Sequence, residues 1–385
     1  MAEAVEIIED DPVEVRRAKR EALLAEGKNP YGHAAFEYSH HIVDLDEKYA
    51  ELADGENTED AVSIAGRVMA KRVQGKIIFF ELQDATGRIQ LFCRINALGE
   101  DVFAEMKDLD LGDWIGVHGL MMRTRRGQLS VAVDSFQLLS KALRPLPEKF
   151  HGLNDKETRY RQRYVDLIVN DEVRDTFQKR SKILSAFRRY MEADGYYEVE
   201  TPILQTVQGG ATAKPFITHF NALNQENYLR IATELHLKRL LVGGFERVFE
   251  IGRIFRNEGM DPTHNPEFTT MEAYCAFNDL QGMKKLAQGV IKAANAAVND
   301  SEQLEYQGQT IDISGEWPSI PMTEIVSKAL GEEVTLDTPV SHLAELAKKN
   351  GIEVKPEWTA GKLIAELYDE IGEATIVNLC CGLPG

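Results

Sequence analysis

Charged and aromatic side chains crowd into residues 255–274, "FRNEGMDPTHNPEFTTMEAY". The side chains in this stretch that could take part in chemistry are Arg256, Glu258, His264, Phe268, Glu272 and Tyr274. Burying so many polar groups costs free energy unless each group has a partner. A charged substrate would supply such partners, so the segment predicts a site that binds a charged ligand.

The residues on either side of the loop "EGMDPTHNP" alternate in the manner of β-strands. Before the loop, one face of the predicted strand contains Glu250, Gly252, Ile254 and Arg256. After the loop, one face contains Phe268, Thr270, Glu272 and Tyr274. The sequence therefore predicts an antiparallel pair of strands with charged and aromatic groups on one shared face.

Each of these residues also has a simpler interpretation when it is considered alone. Arg256 and Glu258 could form a cross-strand ion pair. His264 stands beside Asn-Pro, where a turn residue is common, and a strand position such as Glu272 is usually exposed. The binding hypothesis therefore depends on the residues occurring together.

The composition of the whole chain is typical of a soluble globular protein. With 385 residues we expect two or three domains, and no apolar run approaches the roughly 20 residues that span a bilayer. The first 27 residues have no apolar core, so they do not predict a secretory signal, and we expect a cytoplasmic location without membrane partners. The net charge of −18 means that any contact with nucleic acid must use local basic patches. The four cysteines lack metal-ligand spacing and predict reduced thiols.

Residues 61–140 predict an all-β domain that follows an N-terminal helical extension at 1–60. Five short strands, a hairpin that turns at Asp84–Gly87 and a small helix near 100–110 indicate a closed barrel of the OB type. Such barrels bind single-stranded nucleic acid by stacking bases on aromatic rings in a basic groove. Strand alternation puts either Phe79 or Phe80 on the outside. Nucleic-acid binding and ordinary core aromatics with surface charges both remain open here.

A linker at 141–164 and a second domain at 165–385 complete the predicted organisation. In the second domain we expect a helix over 172–195, the strands "YYEVETPIL" and "NYLRIATELHLKR", a Gly-rich turn between them, and a helix over 280–299. Residues 302–373 predict an α/β insertion with helices near 322–330, 338–349 and 360–371. The predicted fold class is α+β.

The order helix, strand, Pro and long antiparallel strand pair resembles the class II aminoacyl-tRNA synthetases. "GYYEVETP" resembles their motif 1, and "FRNEG…HNPEFTTMEAY" resembles their motif 2. With "RYRQRYVDLI", "GGATAKPF" and the preceding barrel, the chain resembles the bacterial lysyl-tRNA synthetases to about Asn378. This resemblance implies an OB-type β-barrel followed by a class II antiparallel-sheet catalytic domain, here incomplete.

The resemblance also implies an activity. A lysine–tRNA ligase uses ATP and Mg²⁺ to convert L-lysine to lysyl-adenylate, which it transfers to the 3′ end of tRNA(Lys), and it forms a homodimer through motif 1. Arg256 would lie between the lysine carboxylate and the α-phosphate of ATP, two anions that repel each other. Phe268 would stack under adenine, Glu258 would accept from its exocyclic amine, and His264 and Asn265 would lie near the triphosphate.

Further site residues follow from the same resemblance. The residues implied in lysine binding are Gly210, Glu234, Glu272 and Tyr274. The residues implied in binding the anticodon, on the barrel, are Arg72, Phe79 and Gln90. An amide that reads a base edge beside a stacking ring suits single-stranded RNA.

The sequence departs from the family after "EATIVN", where "LCCGLPG" follows. In the family, the Mg²⁺ carboxylates, the acid that holds the lysine ε-ammonium and motif 3 come later. We therefore expect the family's metal ligands to lie beyond Gly385, as after a frameshift or truncation, and this chain to be inactive. Two alternatives stay open: a non-catalytic tRNA-binding or dimer-partner relic, and a relative of aspartyl- or asparaginyl-tRNA synthetase.

Overall fold

A computed structural model of the chain describes residues 11–32, 35–147, 153–261, 264–306 and 308–376. The chain forms two compact units, Met1–Val173 and Arg174–Gly385. The domain boundaries given above stay predictions. The fold class is confirmed, because a closed barrel precedes a unit built on an antiparallel strand pair with helices around it.

The first unit begins with two helices, α1 (Pro12–Ala25) and α2 (Ile42–Lys48). Asp11 caps α1 by accepting from the Val13 N–H, and Pro12 stands in the first turn, where its missing N–H costs nothing. The guanidinium of Arg16 donates to two backbone carbonyls that follow the barrel. Both helices lie in the segment 1–60, where the sequence predicts a helical extension.

The barrel contains five strands in the closed order β1-β2-β3-β5-β4. Their bounds are β1 (Asn57–Gln74), β2 (Ile77–Gln83), β3 (Arg88–Arg94), β4 (Trp114–Arg123) and β5 (Leu129–Ser140). Two helices, α3 (Ile95–Leu98) and α4 (Glu100–Asp108), lie between β3 and β4. Alternate residues of each strand fill the interior, for example Ile78, Phe80 and Leu82 of β2. The predicted OB-type barrel is confirmed.

The β2–β3 turn is fastened by one carboxylate. Asp84 accepts from the backbone N–H groups of Thr86 and Gly87, and also from the N–H of Ile42 at the start of α2. The Asp84 N–H donates to the Gly87 carbonyl. The hairpin therefore turns at Asp84–Gly87, as predicted, and the same acid attaches α2 to the barrel.

Two helices, α5 (Lys156–Arg161) and α6 (Arg163–Val169), follow the barrel. The linker predicted over 141–164 contains α5, a helix that the sequence analysis did not predict. Asp155 caps α5, and the buried Asp166 accepts from Arg159, Arg163 and Asn170. Ion pairs rather than an apolar stripe fasten these helices, so hydrophobic periodicity gave no signal for them.

The long helix α7 (Asp171–Ala193) leads into the strands of the second unit. The strands form two sheets, with β11-β10-β6 in one and β7-β9-β8 in the other. Their bounds are β6 (Tyr197–Glu198), β7 (Leu204–Gln205), β8 (Ile217–Phe220), β9 (Gln225–Leu229), β10 (Arg247–Phe255) and β11 (Glu267–Cys275). The predicted single strand "YYEVETPIL" is wrong, because it divides into β6 and β7, one in each sheet, on either side of Pro202.

The segment predicted as one strand over 227–239 is also wrong beyond Leu229. Helix α8 (Glu234–Val242) occupies its second half and buries Leu237. Leu, Lys, Arg and Glu all favour helices, and tertiary packing of Leu237 decides between the two periodicities. Helix α9 (Leu280–Ala296) follows β11 and agrees with the helix predicted near 280–299.

The insertion has a core of its own. A hairpin of β12 (Gln303–Tyr306) and β13 (Gln309–Asp312) precedes helices α10 (Met322–Leu330), α11 (Val340–Lys349) and α12 (Ala360–Leu367), as predicted. Val326, Leu343, Leu363 and Leu367 form the centre of this cluster. The departure from the family that is predicted after Asn378 lies outside the described residues. Within the part of the chain that the structure describes, no helix is long and apolar enough to cross a membrane.

Candidate active site and nucleic-acid interface

Strands β10 and β11 pair in the register that their alternation predicts. Glu250 lies opposite Glu272, Gly252 opposite Thr270, and Ile254 opposite Phe268. The reverse face contributes Phe249, Ile251, Met271 and Ala273 to a core with Met191, Tyr196, Leu286 and Val290. One face of the strand pair therefore packs inward, and the other presents the candidate site.

Arg256 and Phe268 meet at one end of this face. The Arg256 N–H donates to the Pro266 carbonyl at 2.9 Å, which closes the strand pair just beyond Phe255. The Arg256 guanidinium carbon lies 5.3 Å from the centre of the Phe268 ring. Among the described residues, the buried Nε of Arg256 has no hydrogen-bond partner. A buried N–H without a partner is costly, and an anionic ligand at this position would supply one.

The neighbouring polar residues occupy more exposed positions. Glu258 accepts from the Lys214 N–H at 3.3 Å, so it contacts the Gly-rich turn and makes no ion pair with Arg256 in the described part of the chain. His264 Nδ1 lies 2.8 Å from Asp261 Oδ2 in a turn, as the simpler interpretation predicts, and Asn265 is exposed beside it. Glu258, His264 and Asn265 are therefore exposed residues of the connection between β10 and β11.

The four residues implied in lysine binding divide into two contacting pairs. Tyr274 donates to Glu272 Oε2 at 3.2 Å. A Cβ added to Gly210 would lie 3.1 Å from the Cβ of Glu234, which begins α8. The φ of Gly210 is +88°, a conformation that favours glycine. Burial raises the pKa of Tyr274, and the charges of Glu272 and Glu234 raise it further. Lys238 contacts both Glu234 and Tyr274, so the two pairs lie close together and form one acidic pocket.

Two contacts in this pocket were missed from the sequence. The Thr233 N–H donates to Glu272 Oε1 at 3.1 Å. Lys238 Nζ lies 2.5 Å from Glu234 Oε1 and 5.8 Å from the centre of the Tyr274 ring. The Glu234–Lys238 pair has helical i, i+4 spacing, so a helix prediction over 234–242 would have revealed it.

Arg230, like Thr233 and Lys238, was missed from the sequence. It changes the expectation that a charged substrate is the partner of the polar groups on this face. Its guanidinium is 3% exposed and donates from Nη1 to Glu250 Oε1. A Cβ on Gly252 would lie 2.1 Å from Arg230 Nη2. A charged substrate is therefore not the partner of Glu250, because the protein supplies that partner itself. The glycine in an otherwise bulky strand was the available signal, since it marks a close approach.

The barrel presents a row of alternating cations and rings. Phe80 is 1% exposed, and Phe79 faces outward. The guanidinium carbon of Arg72 lies 4.8 Å from the centre of the Phe79 ring, which is 5.4 Å from that of Phe92. Arg94 in turn lies over Phe92. The sequence analysis did not single out Arg94.

Gln90 lines the same groove as Arg72 and Phe79. Its side-chain amide donates to Ser130 Oγ at 2.8 Å, which leaves its carbonyl oxygen available to a base edge. The structure therefore brings together all three residues implied in anticodon binding. In the described ranges, no group of three or more His, Cys, Asp or Glu side chains could hold a metal ion.

Comparisons with known proteins agree with this architecture. Residues 155–367 match the family model of class II tRNA synthetases (D, K and N), and residues 62–139 match that of the OB-fold nucleic acid binding domain. The chain therefore belongs to the class II tRNA synthetases.

Several curated relatives have one and the same name, lysine–tRNA ligase. The protein of Pediococcus pentosaceus is 47% identical over 363 residues, which cover 94% of this chain and 73% of the relative. That of Enterococcus faecalis is 46% identical, with 95% and 74% covered, and that of Nostoc punctiforme is 47% identical, with 96% and 67% covered. The chain thus spans about three quarters or two thirds of these relatives.

Proposed function

We propose that this chain is a lysine–tRNA ligase that binds ATP and L-lysine on the shared face of β10 and β11. One observation supports the proposal most strongly: a cation against an aromatic ring and an acidic pocket lie on the same face of one strand pair. Phe268 and Glu272 are four residues apart, about 13 Å along a strand. An extended aminoacyl-adenylate would reach from one end to the other.

The chemistry at the Arg256 end is adenylyl transfer, in which the lysine carboxylate attacks the α-phosphate of ATP and pyrophosphate leaves. The lysine carboxylate and the α-phosphate of ATP are both anions, and a fixed guanidinium between them lowers the barrier to their approach. Arg256 suits this role because its planar group can contact both oxygens at once. Phe268 supplies a stacking surface for adenine, and Glu258 can accept from its amine. Positioning and charge drive an in-line displacement, so no general base is required.

The acidic residues at the other end of the shared face favour a cationic ligand. Glu234 faces the α-amino group in this proposal, and Glu272 with Tyr274 lines the side-chain pocket. Lys238 pairs with Glu234 in the structure, so the substrate would displace or share that contact. Aspartate would bring a second carboxylate into a pocket that already contains two. The aspartyl alternative is therefore not favoured, and the names of the relatives agree with lysine.

Partners and cofactors extend the proposal. The barrel groove would bind the anticodon of tRNA(Lys), and a homodimer would form through α7 and β6. Phe177 and Tyr197 of those elements are 44% and 64% exposed, which suits a contact surface. Mg²⁺ is proposed only as the ion that accompanies ATP, because the described residues contain no cluster of acids for it, and no step is derived through it. A cytoplasmic location remains a prediction.

A calorimetric titration with L-lysine and with L-aspartate tests the proposal. We expect lysine to bind and aspartate to produce no heat of binding. Glu272→Gln should weaken lysine binding roughly tenfold or more, since a hydrogen bond to a charged group contributes about 1.5–3 kcal/mol. Glu267→Gln, on the reverse face of the same strand, is the matched control and should bind like the wild type. Binding of aspartate in preference to lysine would overturn the assignment.

The expected inactivity of the 385-residue chain stays a prediction. The titration above measures binding and does not require turnover.

A further inference from the structure

Two acids face each other beneath the proposed amino-acid pocket. Glu250 of β10 and Glu272 of β11 are directly opposite in the register. Such positions have Cβ atoms about 4.5–5.5 Å apart, and like charges there repel. Glu250 is 3% exposed, so water does not relieve its charge. A neighbouring group must therefore pair with one of the two acids and leave the other available to a ligand.

Arg230 forms an ion pair with Glu250 and so neutralises its charge. Its Nη1 donates to Glu250 Oε1, and the Thr201 hydroxyl donates to Glu250 Oε2 at 2.6 Å. The same guanidinium donates to the carbonyl of Thr201 at 3.1 Å and to that of Arg253 at 2.9 Å. Both oxygens of Glu250 are therefore occupied, and its charge is paired inside the protein.

Glu272 has a different set of contacts. Its donors are two neutral groups, the Thr233 N–H at 3.1 Å and the Tyr274 hydroxyl at 3.2 Å. Among the described residues it forms no ion pair. The two neutral donors fix the orientation of the carboxylate without cancelling its charge. Glu272 is thus oriented and still able to receive a cation.

We propose that Arg230 is a positioning residue of the amino-acid pocket, which keeps Glu250 occupied so that Glu272 stays free for a cationic substrate. This inference rests on the proposed function, in which Glu272 receives lysine. Without Arg230, the buried Glu250 would take up a proton from solvent. As a carboxylic acid it would donate to Glu272 across the strand pair and occupy the oxygen that the substrate ammonium needs.

The other titratable and charged groups near these acids lie on α8 and β11. They are Glu234, His236, Lys238, Arg239 and Tyr274. Burial and Arg239 lower the pKa of His236 and outweigh Glu250, which raises it, so His236 is mainly neutral near pH 7. Burial raises the pKa of Tyr274, which therefore keeps its proton. Lys238 already pairs with Glu234. Arg230 is thus the cation that pairs with Glu250.

Three variants separate this role from a merely structural one. Arg230→Met removes the charge, Arg253→Met removes an exposed arginine whose side chain is on the reverse face, and the double variant Arg230→Met/Glu250→Met removes both charges. At pH near 7, Arg230→Met should weaken L-lysine binding about tenfold or more, because the protonated Glu250 would occupy the Glu272 oxygen that the substrate ammonium needs, and a hydrogen bond to a charged group contributes about 1.5–3 kcal/mol. Arg253→Met should bind like the wild type.

The double variant gives the decisive comparison. An apolar pair can replace a buried ion pair at little cost, so we expect lysine affinity within about threefold of the wild type. A folded double variant that binds lysine as weakly as Arg230→Met would overturn the proposal, because only a structural role predicts that result. The double variant also decides the question if Arg230→Met fails to fold.

Infrared spectroscopy supplies a readout that needs no ligand. At neutral pH, Arg230→Met should show the C=O stretch of a protonated carboxyl group. The wild type, Arg253→Met and the double variant should lack that band. Its absence from folded Arg230→Met would overturn the proposal. If the wild type fails to bind lysine, the proposed function fails, and the infrared comparison still decides the role of Arg230.

Discussion

Replacing Phe79 with alanine should weaken RNA binding by the barrel about tenfold. A base stacked on an aromatic side chain contributes about 1–3 kcal/mol. In the free protein the guanidinium carbon of Arg72 lies 4.8 Å from the centre of that ring. The base must displace Arg72, and an exposed cation–π contact contributes about 0.5–1 kcal/mol. The net loss is thus at most about 2.5 kcal/mol, or roughly 70-fold.

Fluorescence anisotropy with a labelled anticodon stem-loop of tRNA(Lys) measures this loss at one fixed salt concentration, because phosphate contacts make affinity depend on salt. Trp114→Ala is the matched control. Trp114 is also an exposed barrel aromatic with an arginine over its ring, since the guanidinium carbon of Arg67 lies 5.0 Å from its centre. Equal affinity of the wild type and Phe79→Ala, or an equal loss in Trp114→Ala, would refute the stacking argument.

Three further changes test other parts of the structure. Gly252→Ala should destabilise the second unit by about 3–5 kcal/mol in urea unfolding, because the new Cβ would lie 2.1 Å from Arg230 Nη2 and break a buried ion pair. Gly259→Ala is the control and should be neutral, since no atom of the described residues lies near its added Cβ. Arg256→Ala should weaken ATP binding roughly 10- to 100-fold in a calorimetric titration, and an unchanged affinity would contradict the role of its unpartnered Nε. Asp84→Asn should cost about 2 kcal/mol at neutral pH. Burial favours the protonated form of Asp84, yet the donors at Ile42, Thr86 and Gly87 outweigh it and lower the pKa of the carboxyl group. Its contribution is present above the unfolded value near 3.9 and is lost as the pH falls further, so the difference between wild type and variant should shrink below about pH 4.

The parts of the fold that follow a simple period were predictable from the sequence. In β2, Ile78, Phe80 and Leu82 alternate with outward residues, so the barrel and one outward Phe at position 79 or 80 follow from a period of two. The same rule put Glu272 and Phe268 on one face. The antiparallel register then places Glu272 opposite Glu250 and Phe268 opposite Ile254, as the alternation of the two strands predicts.

The parts that depend on distant contacts were not predictable in this way. Arg230 and Glu250 are twenty residues apart, and only the tertiary fold, in which the residue after β9 bonds to the end of β10, makes them a pair. The stretch "TELHLKR" fits a period of two through Leu235 and Leu237, so packing against the sheet was needed to show that Glu234 begins a helix. Helices fastened by ion pairs, such as α5, leave no apolar pattern at all.

A crystal structure of the chain with L-lysine and a non-hydrolysable ATP analogue tests the central claim most directly. The account predicts the adenine ring stacked on Phe268, the α-phosphate within hydrogen-bond distance of Arg256, and the two ammonium groups of lysine against Glu234 and Glu272. An adenine bound away from Phe268, or a lysine whose ammonium groups contact neither acid, would contradict it.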